Sequence, residues 1–218
     1  MKDHGLQRAI YHSKAVGVMT RLFPSLLAPL ALAASLGLSG CGPAQPDAQA
    51  PLAGAKIGGP FQLTDAKGRT VTDRDFAGRY RVVYFGYTFC PDVCPTDMQA
   101  IAAGLKLLDK SAPAKAAKIV PLFITVDPER DTAEVVGRFA AAFDPRVVGL
   151  TGTPAQIGAV KKAYAIWSAK GEPAPGGGYL VNHSRQVYLM NPQGKPLALV
   201  PADEGPEAVA KTLDQWVR

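Results

Sequence analysis

The chain has 218 residues, 47% of them hydrophobic, and a formal net charge of +6. With a leader of about forty residues set aside, the remainder is long enough for one domain with a full core. Lys2, Arg8, Lys14 and Arg21 against Asp3 supply half of the charge, and the other basic residues form no cluster, so nucleic-acid binding has no electrostatic footprint.

A basic start, an apolar run from Leu22 to Leu38 and the small residues Ser39 and Gly40 read residues 1–40 as an export signal. Leu38-Ser39-Gly40-Cys41 resembles the bacterial lipobox, whose cysteine becomes the lipidated first residue of the mature protein. The other reading is an uncleaved anchor, but Pro24 and Pro29 interrupt a run already short for a spanning helix. Either tether places the domain in the bacterial cell envelope, membrane-anchored and facing the periplasm. Met19-Thr20-Arg21 would also serve as a shorter charged start. Residues 41–59, rich in alanine, proline and glycine, read as a flexible linker, and 60–218 as the folded domain.

In chain order, Phe61 to Thr72 reads as a hairpin turning at Lys67-Gly68, and Asp73 to Phe76 as a single helical turn. Arg81 to Phe85 is a buried strand. A helix then runs from about Thr96 to Asp109, capped by Thr96, with Met98, Ile101, Leu105 and Leu108 on its apolar face. Ile119 to Val126 is a second strand, followed by a helix capped by Thr132 and a short strand at Val147 to Leu150. Thr153-Pro154 opens a helix with Ile157, Val160, Tyr164 and Ile166 inward, and a loop rich in glycine and proline covers Lys170 to Gly178. Gln186 to Met190 and Leu197 to Val200 form a second hairpin, and a last helix spans Gly205 to Val217. Strand–helix alternation ending in a hairpin is an α/β pattern: a mixed central sheet with helices on both faces and an added N-terminal hairpin.

Cys90 and Cys94, the only cysteines of the domain, lie between the first buried strand and its helix, which points to a thioredoxin-like fold. A structural disulfide is one reading, normal in an exported protein, but so short a loop would gain little from it. The strand-to-helix position suits reactive thiols better, and a helix N-terminus is expected to lower a thiol's pKa. His183 is the domain's only histidine. A lone histidine is more often filler than ligand. In a thioredoxin-like fold, however, the loop entering the second hairpin passes beside the cysteines. Two thiolates and an imidazole would make a soft, exchangeable site suited to copper and acceptable to zinc. Asp127, ending the second strand, reads equally as support for that site or as a turn residue before Pro128.

Three motifs then resemble the Sco/SenC family of copper-delivery proteins: Gly86-Tyr87-Thr88-Phe89-Cys90-Pro91-Asp92-Val93-Cys94-Pro95-Thr96, Val126-Asp127-Pro128-Glu129-Arg130-Asp131-Thr132, and Tyr179-Leu180-Val181-Asn182-His183-Ser184. The resemblance covers about Phe61 to Arg218. It implies a metallochaperone that binds copper, as Cu(I) or Cu(II), through Cys90, Cys94 and His183. The delivery target it implies is the subunit of cytochrome c oxidase that carries the binuclear copper centre, with other copper chaperones or thiol reductants as further partners. Where the family commonly has aspartate before the histidine, this chain has Asn182. A rival reading uses the same cysteines as a redox-active pair in a thiol:disulfide oxidoreductase that keeps the oxidase's copper ligands reduced, so enzymatic activity stays open. A peroxiredoxin-like peroxidase is disfavoured, because the position three before Cys90 is Tyr87, not threonine.

Overall fold

The apolar segment Tyr80–Gly86 (β3) is the middle of the molecule, buried at every position. A strand hydrophobic on both faces must be covered on both faces, and here it sits inside a seven-stranded mixed sheet with helices on either side. The structure is a computed structural model, and it describes residues 49–173 and 178–218. The leader, Met19 and Cys41 lie outside the described residues.

The other strands are Gln62–Asp65 (β1), Thr70–Thr72 (β2), Ile119–Thr125 (β4), Val148–Thr151 (β5), Ser168–Pro173 (β6), Tyr179–His183 (β7), Val187–Met190 (β8) and Pro196–Leu199 (β9). The sheet order is β2-β1-β5-β4-β3-β8-β9. Strands β3, β4 and β5 run parallel, and β8 pairs antiparallel with β3. The helices are Val93–Ser111 (α1), Pro113–Ala116 (α2), Ala133–Ala141 (α3), Pro154–Ala163 (α4) and Pro206–Trp216 (α5). Tyr84 and Phe123, paired across β3 and β4, face α1 and α3: Tyr84 bonds Asp97, and Phe123 packs on Phe139 at 4.8 Å between ring centroids. Helix α5 packs on α1 so closely that a Cβ on Gly104 would lie 2.5 Å from Val209. On the opposite face Tyr164, closing α4, meets the rings of Phe85 and Tyr188. Helices therefore cover both faces, and the fold is thioredoxin-like.

The caps at Thr132 and Thr153 stand as read: each hydroxyl accepts from the amide three residues on, and Gln156 completes the Thr153 box. Three expectations change. Helix α1 begins at Val93, not Thr96, whose hydroxyl donates to Asp92 O instead of capping; Cys94 is thus in the first helical turn. The segment expected as a loop from Lys170 contains half of a second, two-stranded sheet, β6 paired with β7. Its small residues hid a strand whose hydrogen bonds need only backbone. Lastly, Leu52 and Ile57 of the expected linker pack against the core, and Leu52 N donates to Leu197 O and Gly58 N to Ala163 O. Two apolar side chains suffice to dock a stretch that otherwise reads as spacer.

Candidate metal centre

The chain leaves β3 at Gly86 and crosses Tyr87 to Asp92 before α1 begins. A Cβ at Gly86 would fall 3.1 Å from Cys94 Sγ and 3.0 Å from the rings of Tyr84 and Phe123, so glycine admits the thiol against the strand end. Cys94 is 0% exposed, while Cys90 is half-buried on the loop. Both are free thiols, and the Cys94 amide donates to Cys90 Sγ over 3.5 Å.

His183 closes β7. Its Nε2 lies 3.4 Å from Cys94 Sγ, and its Nδ1 lies 2.8 Å from Ser184 O. A carbonyl only accepts, so the proton sits on Nδ1 and the Nε2 lone pair faces the thiol, the tautomer a metal ligand needs. The ring meets Tyr87 edge-on at 5.9 Å between centroids.

Burial governs both groups. It pushes the Cys94 thiol up to about 12, against a smaller lowering by the backbone at Tyr87, and it pulls His183 below its ordinary value. The expectation of a lowered thiol pKa is therefore corrected for Cys94. A helix terminus is worth about 0.3–1 kcal/mol, less than full desolvation of a thiolate. At neutral pH the pair is a protonated thiol and a neutral imidazole, which a soft cation would convert by displacing the thiol proton. Among the described residues no three His, Cys, Asp or Glu side chains converge into a closed metal cluster. The structure joins Cys94 to His183 and leaves Cys90 on the rim.

Three buried carboxylates hold the segments that carry these groups. Asp131 accepts from Thr88 N (3.0 Å), Thr88 Oγ1 (2.6 Å) and Thr125 Oγ1 (2.6 Å), fixing the cysteine loop to the end of β4; burial raises its pKa. Asp127 accepts from Tyr179 Oη (2.8 Å) and Arg130 Nε (2.5 Å), tying the loop between β4 and α3 to β7. It is thus a support of the histidine's strand, and it makes no contact with a sulfur. Arg130 also stacks 3.8 Å from the Tyr179 ring centroid and 4.9 Å from that of Phe89. Its buried Nη2 has no acceptor among the described residues, and the aromatic faces take its place. Asp97, 0% exposed and three residues after Cys94, accepts from Tyr84 Oη (3.0 Å) and from two Arg185 nitrogens (2.8 and 2.6 Å), linking α1 to the segment after His183. Sequence reading missed Asp97 and Arg185. An acid interrupting the apolar face of α1 was the available signal. Asn182, by strand alternation, faces away from His183, so the missing negative charge lies on the outer side of β7. Phe89, 54% exposed, and Trp167, opposite Ser184, leave aromatic surface at the opening.

Comparison with known proteins follows the same residues. A family model described as SCO1/SenC matches residues 49–218. Protein SenC of Rhodobacter capsulatus is 44% identical over 164 residues, 74% of this chain and 71% of SenC. The fold superposes on the crystal structure of Arabidopsis thaliana ScoI with copper bound (TM-score 0.67, 34% identity, 73% of this chain and 97% of that one). It matches Bradyrhizobium japonicum ScoI with copper bound similarly, with TM-score 0.65, 39% identity, and 73% and 99% coverage. The chain spans about half the length of its mitochondrial relatives, between 42% and 50%.

Proposed function

The chain belongs to the SCO1/SenC family, and from that premise we propose that it is a copper metallochaperone, binding the ion through Cys90, Cys94 and His183 and delivering it to the binuclear copper centre of cytochrome c oxidase. Copper is cargo here, not a resident cofactor. The observation that carries the reading is the 3.4 Å approach of His183 Nε2 to Cys94 Sγ, joining two soft donors 89 residues apart in a tautomer ready to ligate. Cys90, on the rim, is the ligand that completes the site by turning inward and the first to release the ion to an incoming thiol. The two relatives above whose structures hold copper support the choice of metal.

Residues 52–58 pack at the end of the sheet opposite the cysteine loop, so a tether entering there would present the site away from the membrane. We place the lipid on Cys41, with an N-terminal anchor as the alternative. No helix among the described residues is long and apolar enough to cross a membrane. The oxidoreductase reading uses the same thiols, but Cys94 is sealed and protonated, leaving Cys90 to meet an incoming disulfide. Cells lacking the chain should assemble oxidase without its binuclear copper centre. Wild type should restore it and His183→Ala should not. Full rescue by His183→Ala would favour the oxidoreductase, which needs thiols alone.

A further inference from the structure

The opposite end of β3 carries a second polar site. Arg81 is 4% exposed in a strand whose other residues are apolar or glycine. Its Nε and Nη2 donate to Phe76 O at 3.3 and 3.1 Å. Among the described residues its Nη1 has no hydrogen-bond partner and the guanidinium has no ion pair. A buried cation without an anion is costly, and a guanidinium offers a planar fork that matches oxyanions.

Arg81 borders an open pocket of about 560 Å³, whose wall also includes Lys56, Gly59, Asp73, Gly194 and Lys195. Asp73 makes no ion pair with the arginine among the described residues, and its Oδ1 accepts from the Phe61 amide at 3.3 Å. Three cations against one carboxylate leave a surplus of two positive charges. Gly194, at φ +75°, is required by the approach as well as by the turn, since a Cβ there would come 2.8 Å from Arg81 Nη1. The amides of Lys56 and Gly59, both wall residues, donate to no backbone acceptor among the described residues.

We propose that this pocket binds a phosphate group, with Arg81 as the buried charge-assisted donor and Lys56 and Lys195 closing over it. A phosphate fits the double surplus, being close to a dianion near pH 7, where a carboxylate would satisfy only half of it. The first wall residue, Gly54, stands thirteen positions after Cys41 in the sequence, so a lipid carried on Cys41 would bring headgroup phosphate into reach as a second source. The phosphate therefore comes from a phosphatidate headgroup, whose phosphate is a monoester, or from free phosphate.

The test titrates inorganic phosphate calorimetrically into the full chain, first in dodecyl maltoside, which contains no phosphate, and then in nanodiscs containing phosphatidic acid, at constant ionic strength. In maltoside the wild type should bind one phosphate saturably. Arg81→Met and Lys195→Ala should each bind at least about tenfold more weakly, the loss of one charge-assisted contact. Loss of phosphate binding in nanodiscs assigns the pocket to the headgroup, and unchanged binding assigns it to free phosphate. Absence of saturable binding in maltoside overturns the proposal, as does wild-type affinity in both variants. Should Arg81→Met fail to fold, Lys195→Ala decides, because that residue is exposed on the β8–β9 turn.

Discussion

The two sides of the candidate metal centre are built differently. Cys94 belongs to the central sheet's own architecture: it lies in the first turn of α1, against the end of β3, under full burial. His183 hangs on a separate two-stranded sheet, held to the domain through Asp127–Tyr179, Asp97–Arg185 and the Tyr87 ring. One donor is fixed by the core, while the other is fixed by polar ties that a few substitutions can cut. A carrier needs that asymmetry, because an ion held equally hard from all sides would not leave.

The largest expected effect breaks the rigid side. Cys94→Ser should abolish stoichiometric Cu(I) binding in a competition assay with a chromogenic chelator, because a hydroxyl is a poor ligand for a soft ion. Cutting the adjustable side should do less and do it selectively. His183→Ala should retain part of the Cu(I) affinity through two thiolates and lose the thiolate-to-Cu(II) charge-transfer absorption, since Cu(II) prefers an imidazole and otherwise oxidises the paired thiols. Equal loss of both copper states would contradict the asymmetry.

Stability effects come next. Asp131→Ala leaves the Thr88 amide and two hydroxyls without their acceptor and should lower unfolding free energy by about 2–4 kcal/mol in urea titration, with the cysteine loop exchanging amide hydrogen faster. The Cys94 thiol gives a pH signature. It keeps its proton in the folded chain up to about pH 12, whereas the unfolded chain releases it near 9. Folded metal-free protein should thus lose stability as pH rises through that window, by about 1.4 kcal/mol per pH unit, and Cys94→Ala should lack this slope. The smallest effect concerns the joint leading to β6. Ala165, two residues past the end of α4, stands at φ 53°, with Ile166 N reaching back to Lys161 O, a left-handed closure that suits glycine. Ala165→Gly should raise stability by about 0.5–1 kcal/mol in thermal unfolding and leave copper binding unchanged.

How much of this was legible depended on range. Local signals are legible: Thr132 and Thr153 cap their helices, Gly68 turns its hairpin at positive φ, and the apolar runs at β3 and β4 are buried. The start of α1 was misplaced because Pro95 and Thr96 form a plausible cap, and tertiary packing of Cys94 overrode it. Strand β6 was unreadable, since Ser-Ala-Lys-Gly-Glu-Pro carries neither alternation nor β-branched residues and pairs only because β7 lies beside it. The reversal of the Cys94 pKa was beyond local reading too. Sequence locates a thiol at a helix terminus, but the desolvation that decides its proton comes from its full burial in the folded core. Asp97 and Arg185 are 88 residues apart, and only the fold joins them.

The central claim, that Cys90, Cys94 and His183 together hold the cargo, is tested most directly by X-ray absorption at the copper edge on the reduced full chain loaded with one Cu(I). The expected first coordination sphere is two sulfurs and one imidazole nitrogen, with the nitrogen and its ring-scattering features lost in His183→Ala and one sulfur lost in Cys90→Ser. A sphere with a single sulfur, or one whose nitrogen persists in His183→Ala, would contradict the three-ligand account.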